Sequence, residues 1–475
     1  MDRDGGGASL GRPRSEPAAP NAPIPGSHAD GSPEGTRRTW RGLEEMVARN
    51  RWGALADLLV TLASDSSTLE IVEEVLSLLV ARGRIAGLAG ALQTRERLPL
   101  LLRLLEAEVG VRCWDVHAYE LEALARDVDD AARDDWKLWV TALIAEHHLS
   151  WGDLSAFTIA SSALGAVDRG DLRPFALLGR AKLQRILAIG GFYLSGGNEA
   201  VSADAAMAET IAVFEAAGST DEVLGTRALC SFVRAMVKRE SAIEQIVLTE
   251  RVVHEASALE SDRVGDYTVI LAWIGALAWE FDVVHAALAA FDADSRPRPA
   301  YLEAMRDAVG LAVDIVEHIQ EPAELGARLR QVGTGVHGST VLMIGIRNYL
   351  AGLLADEGYP HLAREVAPEL ADLAGRMARL TAVDVRTLHA RVLILEKPGT
   401  DSVEAFEATL DEFARSSTLR PTAVVALRGA LTCTRVGLDE SARRLAARGF
   451  ADLPARADRT RWESHYADAV EDLLR

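Results

Sequence analysis

From Trp40 onward, apolar residues recur at helical spacing, and the runs are punctuated by single glycines. Few chains with this pattern can fold as anything but helices joined by tight turns. In one stretch Met207, Ile211, Phe214 and Gly218 share a face, and Gly218 suits a helix C-terminus, where a left-handed residue ends the last turn. The following Ser219-Thr220-Asp221-Glu222 reads as a capping box, with Glu222 folded back on the new helix start. Leu229, Val233 and Met236 then form the inner face of a second helix. Similar breaks fall at Arg82-Gly83, Trp151-Gly152-Asp153, Glu357-Gly358-Tyr359 and Val436-Gly437-Leu438. No βαβ alternation is visible. Hairpins that cannot bury their faces alone must stack on neighbours, so the expected fold is all-α, an irregular α-solenoid.

Two resemblances follow from particular residues. Gly358 precedes Ala363 by five positions, and Gly437 precedes Ala442 by the same distance. This spacing resembles the tetratricopeptide repeat, in which a turn glycine is followed by a small residue on the next helix. Here Tyr359 stands one place early, and the breaks keep no steady period. The run Asp439–Pro454 (Asp-Glu-Ser-Ala-Arg-Arg-Leu-Ala-Ala-Arg-Gly-Phe-Ala-Asp-Leu-Pro), followed by Trp462, resembles the helical arm of LuxR-class bacterial signalling regulators. The likeness reaches over Tyr349–Trp462 at most. It implies a bacterial sensor or scaffold role. Those regulators also carry a nucleotide-binding loop, and this sequence contains no Gly-x-x-x-x-Gly-Lys-Ser/Thr. No ATPase activity is therefore expected.

Three regions are expected. Residues 1–38 hold three consecutive glycines and six prolines, a composition that builds no core and reads as a disordered tail. A first helical-repeat region covers 39–291 and a second covers 292–475. The polar, proline-bearing Asp292–Arg298 divides them, and the glycine-rich Gln331–Thr340 is a further candidate break.

The formal net charge of −19 argues against direct nucleic-acid binding, which needs a positive surface to displace counterions. Three dispersed cysteines, Cys113, Cys230 and Cys433, suit neither a disulfide framework nor a zinc site and read as reduced thiols. Tyr267–Ala278 is the most apolar stretch, yet it is too short to span a bilayer. With no secretory leader read at the start, a cytoplasmic location is expected.

The candidate chemistry is sparse. Trp273, Trp279, Asp282 and His285 place a His–carboxylate pair beside aromatics, a possible ligand pocket or a polar pair where a helix meets water. Asp129, Asp130 and Asp134 could face one way on a helix and hold Mg²⁺ with a diphosphate, as in all-helical terpene and prenyl synthases. The plain alternative is an acidic helix start that favours the helix dipole. No second acidic motif accompanies them. Cys113, His117 and Glu120, with Glu146-His147-His148, form a weaker metal candidate. The expectation is a non-enzymatic, regulatory scaffold without a cofactor, binding a protein, a peptide or a small effector. The alternative is the Mg-dependent enzyme.

Overall fold

The computed structural model describes residues 42–474 except 44, 114, 152, 167–172, 195–199, 238–241, 297, 319–320, 333–340, 371–378 and 417–420. The expected tail, Gly152 and most of the Gln331–Thr340 break lie outside the described residues. Every regular element among those described is helical. The chain opens with α1 (Trp52–Ala63), α2 (Leu69–Ala81), α3 (Ala86–Leu92), α4 (Leu100–Cys113), α5 (Ala118–Asp130) and α6 (Asp134–Ser150). It continues through α7 (Ser155–Ala166), α8 (Pro174–Leu194), α9 (Ala200–Ala216), α10 (Thr220–Val237), α11 (Ala242–Ala258), α12 (Val264–Ala278), α13 (Phe281–Ala293) and α14 (Ala300–Val316). The last helices are α15 (Pro322–Gln331), α16 (Val341–Asp356), α17 (Pro360–Val366), α18 (Arg379–Glu396), α19 (Thr400–Ser416), α20 (Pro421–Arg435), α21 (Asp439–Asp452) and α22 (Arg461–Leu474).

The turns follow from backbone chemistry. Gly83, Gly218, Gly358 and Gly437 have φ of 65°, 68°, 78° and 76°. They are the positive-φ glycines among the described residues, and each ends a helix. In each case the next residue donates its N–H to a carbonyl five positions back: Arg84 to Leu79, Ser219 to Phe214, Tyr359 to Leu354 and Leu438 to Cys433, at 2.9–3.0 Å. That bond satisfies a carbonyl the helix end would leave open. Ala363 and Ala442 are buried behind the last two turns, where a larger side chain would hold the hairpin apart.

From α4 onward the even-numbered helices pack on one another in series, and the odd-numbered helices cover them from outside. This is the layering of a helical solenoid. The coil also meets itself. α2 touches α10, α8 touches α18, and α12 touches α22, so helices eight to ten places apart are in contact. One backbone bond marks this seam: the Asp262 N–H donates to the Gly83 carbonyl at 2.9 Å. The Asp262 carboxylate in turn accepts from the Ala86 N–H, also at 2.9 Å.

Apolar burial is arranged in successive cores, the largest covering parts of 43–223, 232–392 and 383–470. The middle core includes Phe291 and Leu302, so it runs across the Asp292–Arg298 turn. Arg298 pins that turn. Its guanidinium donates to the Phe291 carbonyl at 2.5 Å and lies 4.2 Å from the centre of the Phe291 ring. Tyr267–Ala278 lies within α12 and is buried almost throughout. No described helix is long and apolar enough to cross a membrane.

Candidate functional site

The even-numbered helices are not purely apolar on their packed faces. α4 carries Glu108 and Arg112 one turn apart, α6 carries Glu146, α8 carries Lys182 and Arg185, and α10 carries Asp221 and Glu222. Stacking brings these together. The Lys182 ammonium sits 2.6 Å from Glu108 and 3.0 Å from Glu146. Arg185 reaches Glu222 at 2.6 Å and also binds Glu146. Arg112 bridges Glu108 at 2.9 Å and Glu222 at 2.6 Å. The Trp139 indole N–H closes the set with a bond of 2.8 Å to the second Glu108 oxygen.

Burial raises the Glu108 and Glu222 carboxyls, but the surrounding Lys182, Arg112 and Arg185 outweigh it and hold both below their ordinary value, Glu222 well below. Burial disfavours the Lys182 ammonium, and the three carboxylates overcome that and raise it. Each of these ions is therefore held charged. None is left as a free base or nucleophile, so this network ties helices together and carries no visible reaction. It continues to the seam. Asp221 accepts the Ser261 hydroxyl at 2.6 Å and lies 3.5 Å from Arg263.

A second cluster joins the C-terminal helices. The Asp356 carboxylate, at the end of α16, accepts from Arg391 on α18, from Arg428 on α20 at 2.7 Å and from the Tyr466 hydroxyl on α22 at 2.8 Å. Burial raises this carboxyl, and the two guanidinium groups override it and lower it. Beside it Trp279 stacks on His465, ring centres 4.1 Å apart, and Arg461 pairs with Glu280 at 2.9 Å. α22 is thus fastened to the α12–α13 turn.

The seam leaves an opening. A groove of about 560 Å³ runs between α2, the start of α6, the start of α8 and the α9–α10 turn. Glu70, Glu73, Glu74 and Asp135 give it a negative wall; Leu78 and Phe175 give it an apolar floor. A second hollow of about 250 Å³ continues it, sharing Ser77, Pro174 and Ala217. Arg133 neutralises part of the wall by pairing with Glu73 and Asp135, and Arg173, which itself lines the groove, adds a cation near Asp135, so the uncompensated charge lies at Glu70 and Glu74. Glu70 and Glu74, one turn apart and exposed, have no ion-pair partner among the described residues. Such a groove suits a cationic group attached to an apolar one.

The residues singled out from sequence are dispersed. Trp273 is buried in the middle core, and its indole N–H has no partner among the described residues. Trp279 takes a left-handed conformation at φ 62° and faces α22. Asp282 and His285 are exposed on α13, and His285 pairs with Glu317 at 2.9 Å. Asp129, Asp130 and Asp134 are exposed at the α5–α6 corner, where Asp129 pairs with Lys137 at 2.7 Å. They line neither hollow of the seam. Asp134 and Asp135 occupy the first turn of α6, as helix-dipole chemistry favours.

Two sequence readings are corrected. Glu222 does not fold back as a capping residue; Lys182, Arg185 and Arg112 draw its carboxylate into the buried network. Cys113, His117 and Glu120 do not share a helix face. α4 ends at Cys113, and His117 instead precedes α5, its N–H bonded to Glu120 at 2.8 Å. No group of three or more His, Cys, Asp or Glu residues arranged to hold a metal ion occurs among the described residues.

The buried network and the groove were not singled out from the sequence. The network's signal was present in one form: Glu108 and Arg112, like Lys182 and Arg185, stand about one turn apart among the apolar residues of their helices. No protein-family model matches the chain, and no curated protein matches it.

Proposed function

We propose that the chain is a non-enzymatic helical scaffold with a regulatory or signalling role, and that it holds a peptide segment of a partner protein in the acidic groove at its seam. The observation that carries this reading is the exposed Glu70–Glu74 pair beside the apolar floor of that groove. A segment with two Lys or Arg residues flanking an apolar side chain complements it. The repeat type is read as tetratricopeptide-like, supported by the turn glycines and by buried Ala363 and Ala442 behind them. The likeness of Asp439–Pro454 and Trp462 to the arm of LuxR-class regulators supports a signalling context. Fold alone does not assign function, so the groove chemistry is the part to test.

The test is comparative capture from a bacterial cell extract, using the wild-type chain and the double variant Glu70→Lys/Glu74→Lys. Both residues are exposed, so the variant keeps its helical circular dichroism. Proteins held by the wild type and released by the variant support the reading, provided that basic peptides from them compete. Identical capture by both chains refutes it.

A further inference from the structure

A separate cavity of about 340 Å³ lies between α7, α8 and α9, and it shares no lining residue with the seam groove. Its polar lining comes from two facing helices. Arg180 and Gln184 stand one turn apart on α8; Glu209 and Thr210 lie opposite on α9. Leu164 and Leu187 supply the apolar side.

Three features set this cavity apart from a packing defect. The Gln184 side-chain oxygen is buried yet accepts no hydrogen bond. An acceptor cut off from water is costly unless something donates to it. The lining also includes one cation and one anion, the half-buried Arg180 and the exposed Glu209 at the rim, and neither has an ion-pair partner among the described residues. Thr210, also a lining residue, spends its hydroxyl proton on the Ala206 carbonyl at 2.8 Å and so has only acceptor capacity left to offer.

The lining therefore offers a planar guanidinium for a carboxylate, a carboxylate with neutral acceptors for an ammonium, and leucines for a hydrocarbon chain. One small molecule presents all three groups on a single carbon. We propose that this cavity binds a free α-amino acid with an aliphatic side chain. Arg180 takes its carboxylate, Glu209 and the Gln184 oxygen take its ammonium, and Leu164 and Leu187 take its side chain. The chain would then read a small effector at a site distinct from its partner groove. A cavity of this size accommodates such a molecule and excludes a folded peptide.

Isothermal titration calorimetry on the full chain tests this with L-leucine, L-valine and L-methionine as probes. The expected result is saturable one-to-one binding of at least one of them with a Kd below about 1 mM. 4-Methylpentanoate, which lacks the amine, and 3-methylbutylamine, which lacks the carboxylate, are each expected to bind at least about 10-fold more weakly. Arg180→Met and Glu209→Gln are each expected to weaken binding by about 10- to 100-fold. Binding persists in Glu70→Lys/Glu74→Lys, which separates this proposal from the groove reading. The proposal is overturned if none of the three amino acids binds saturably. It is also overturned if the half-ligands bind as well as the amino acid, a comparison that needs only the wild-type chain.

Discussion

The Lys182 ammonium and the Glu108 carboxylate meet at 2.6 Å with almost no solvent reaching either side chain. One lies on α8 and the other on α4, and the contact joins hairpins two places apart in the stack. Removing one partner leaves a buried charge uncompensated. Lys182→Met is therefore expected to cost about 3–5 kcal/mol, because Glu108, Glu146 and Glu222 lose their shared cation. Glu108→Gln combined with Lys182→Met removes one charge of each sign and should recover part of that loss. The midpoints of urea unfolding, read by circular dichroism, give both values. Equal midpoints for wild type and Lys182→Met would show that the network is not held together as described.

Acid should unfold the chain through the same residues. Glu108, Glu222 and Asp356 have folded pKa values below their ordinary ones, so each contributes stability that is present above its unfolded pKa near 4–4.5. That contribution is lost as pH falls through the lower folded value. Lys182 is raised, so its contribution is complete below its unfolded pKa and is lost only at strongly alkaline pH. Burial also holds the His147 and His465 imidazoles below their ordinary value, so stability is expected to be level from about pH 7 to 8, to decline gently below about pH 6.5 as these rings must take a proton, and to fall steeply below about pH 4. Thermal melts across this range test it, and a maximum at pH 4 would contradict it.

Two glycine turns that look alike in sequence should respond differently to substitution. A methyl group at Gly437 meets nothing within 4 Å, so Gly437→Ala costs only the left-handed backbone strain of about 1–2 kcal/mol. A methyl group at Gly83 would come within 2.4 Å of the Asp221 carboxylate. Gly83→Ala is expected to cost at least about 3 kcal/mol, since it adds a displaced network ion to the same strain. Matching unfolding midpoints for the two variants would remove Gly83 from the seam.

The attachment of α22 can be probed by one atom. Tyr466→Phe removes the hydroxyl that donates to Asp356 at 2.8 Å and keeps the ring beside Trp279. A bond to a buried carboxylate is worth about 1.5–3 kcal/mol. The loss should appear as faster hydrogen exchange in α22, with exchange in α4 unchanged. Unaltered exchange in α22 would show that the Trp279 stacking alone holds it.

How far the fold could be read from sequence follows from the range of each interaction. Gly83, Gly218, Gly358 and Gly437 were legible because a left-handed helix end is a local demand that glycine meets best. The helices were legible because apolar spacing is local too. Glu222 misled because Ser219 supplies the right neighbour for a cap, while Lys182 and Arg185 lie some forty positions away and act more strongly. His285 likewise finds Glu317, just past the end of α14, rather than Asp282 on its own helix. The meeting of Gly83 with Asp262 depends on interhelix angles accumulated over the nine helices α3 to α11, and no short pattern encodes that sum. The groove forms where α2 comes against α6, α8 and the α9–α10 turn, contacts distant in sequence, so Glu70 and Glu74 read alone as an ordinary solvated helix face.

The coil closes on itself where α2 meets α10, and the groove lies between α2 and the α9–α10 turn. Ser77 and Ala217 line that groove from elements well separated in the chain. The direct measurement places cysteines at both positions, Ser77→Cys/Ala217→Cys in a Cys113→Ser background, and adds a short bis-maleimide to dilute protein. Closure predicts an efficient intramolecular cross-link in the native chain that disappears in concentrated urea. A native chain that stays uncross-linked, or links only to other copies, would contradict it.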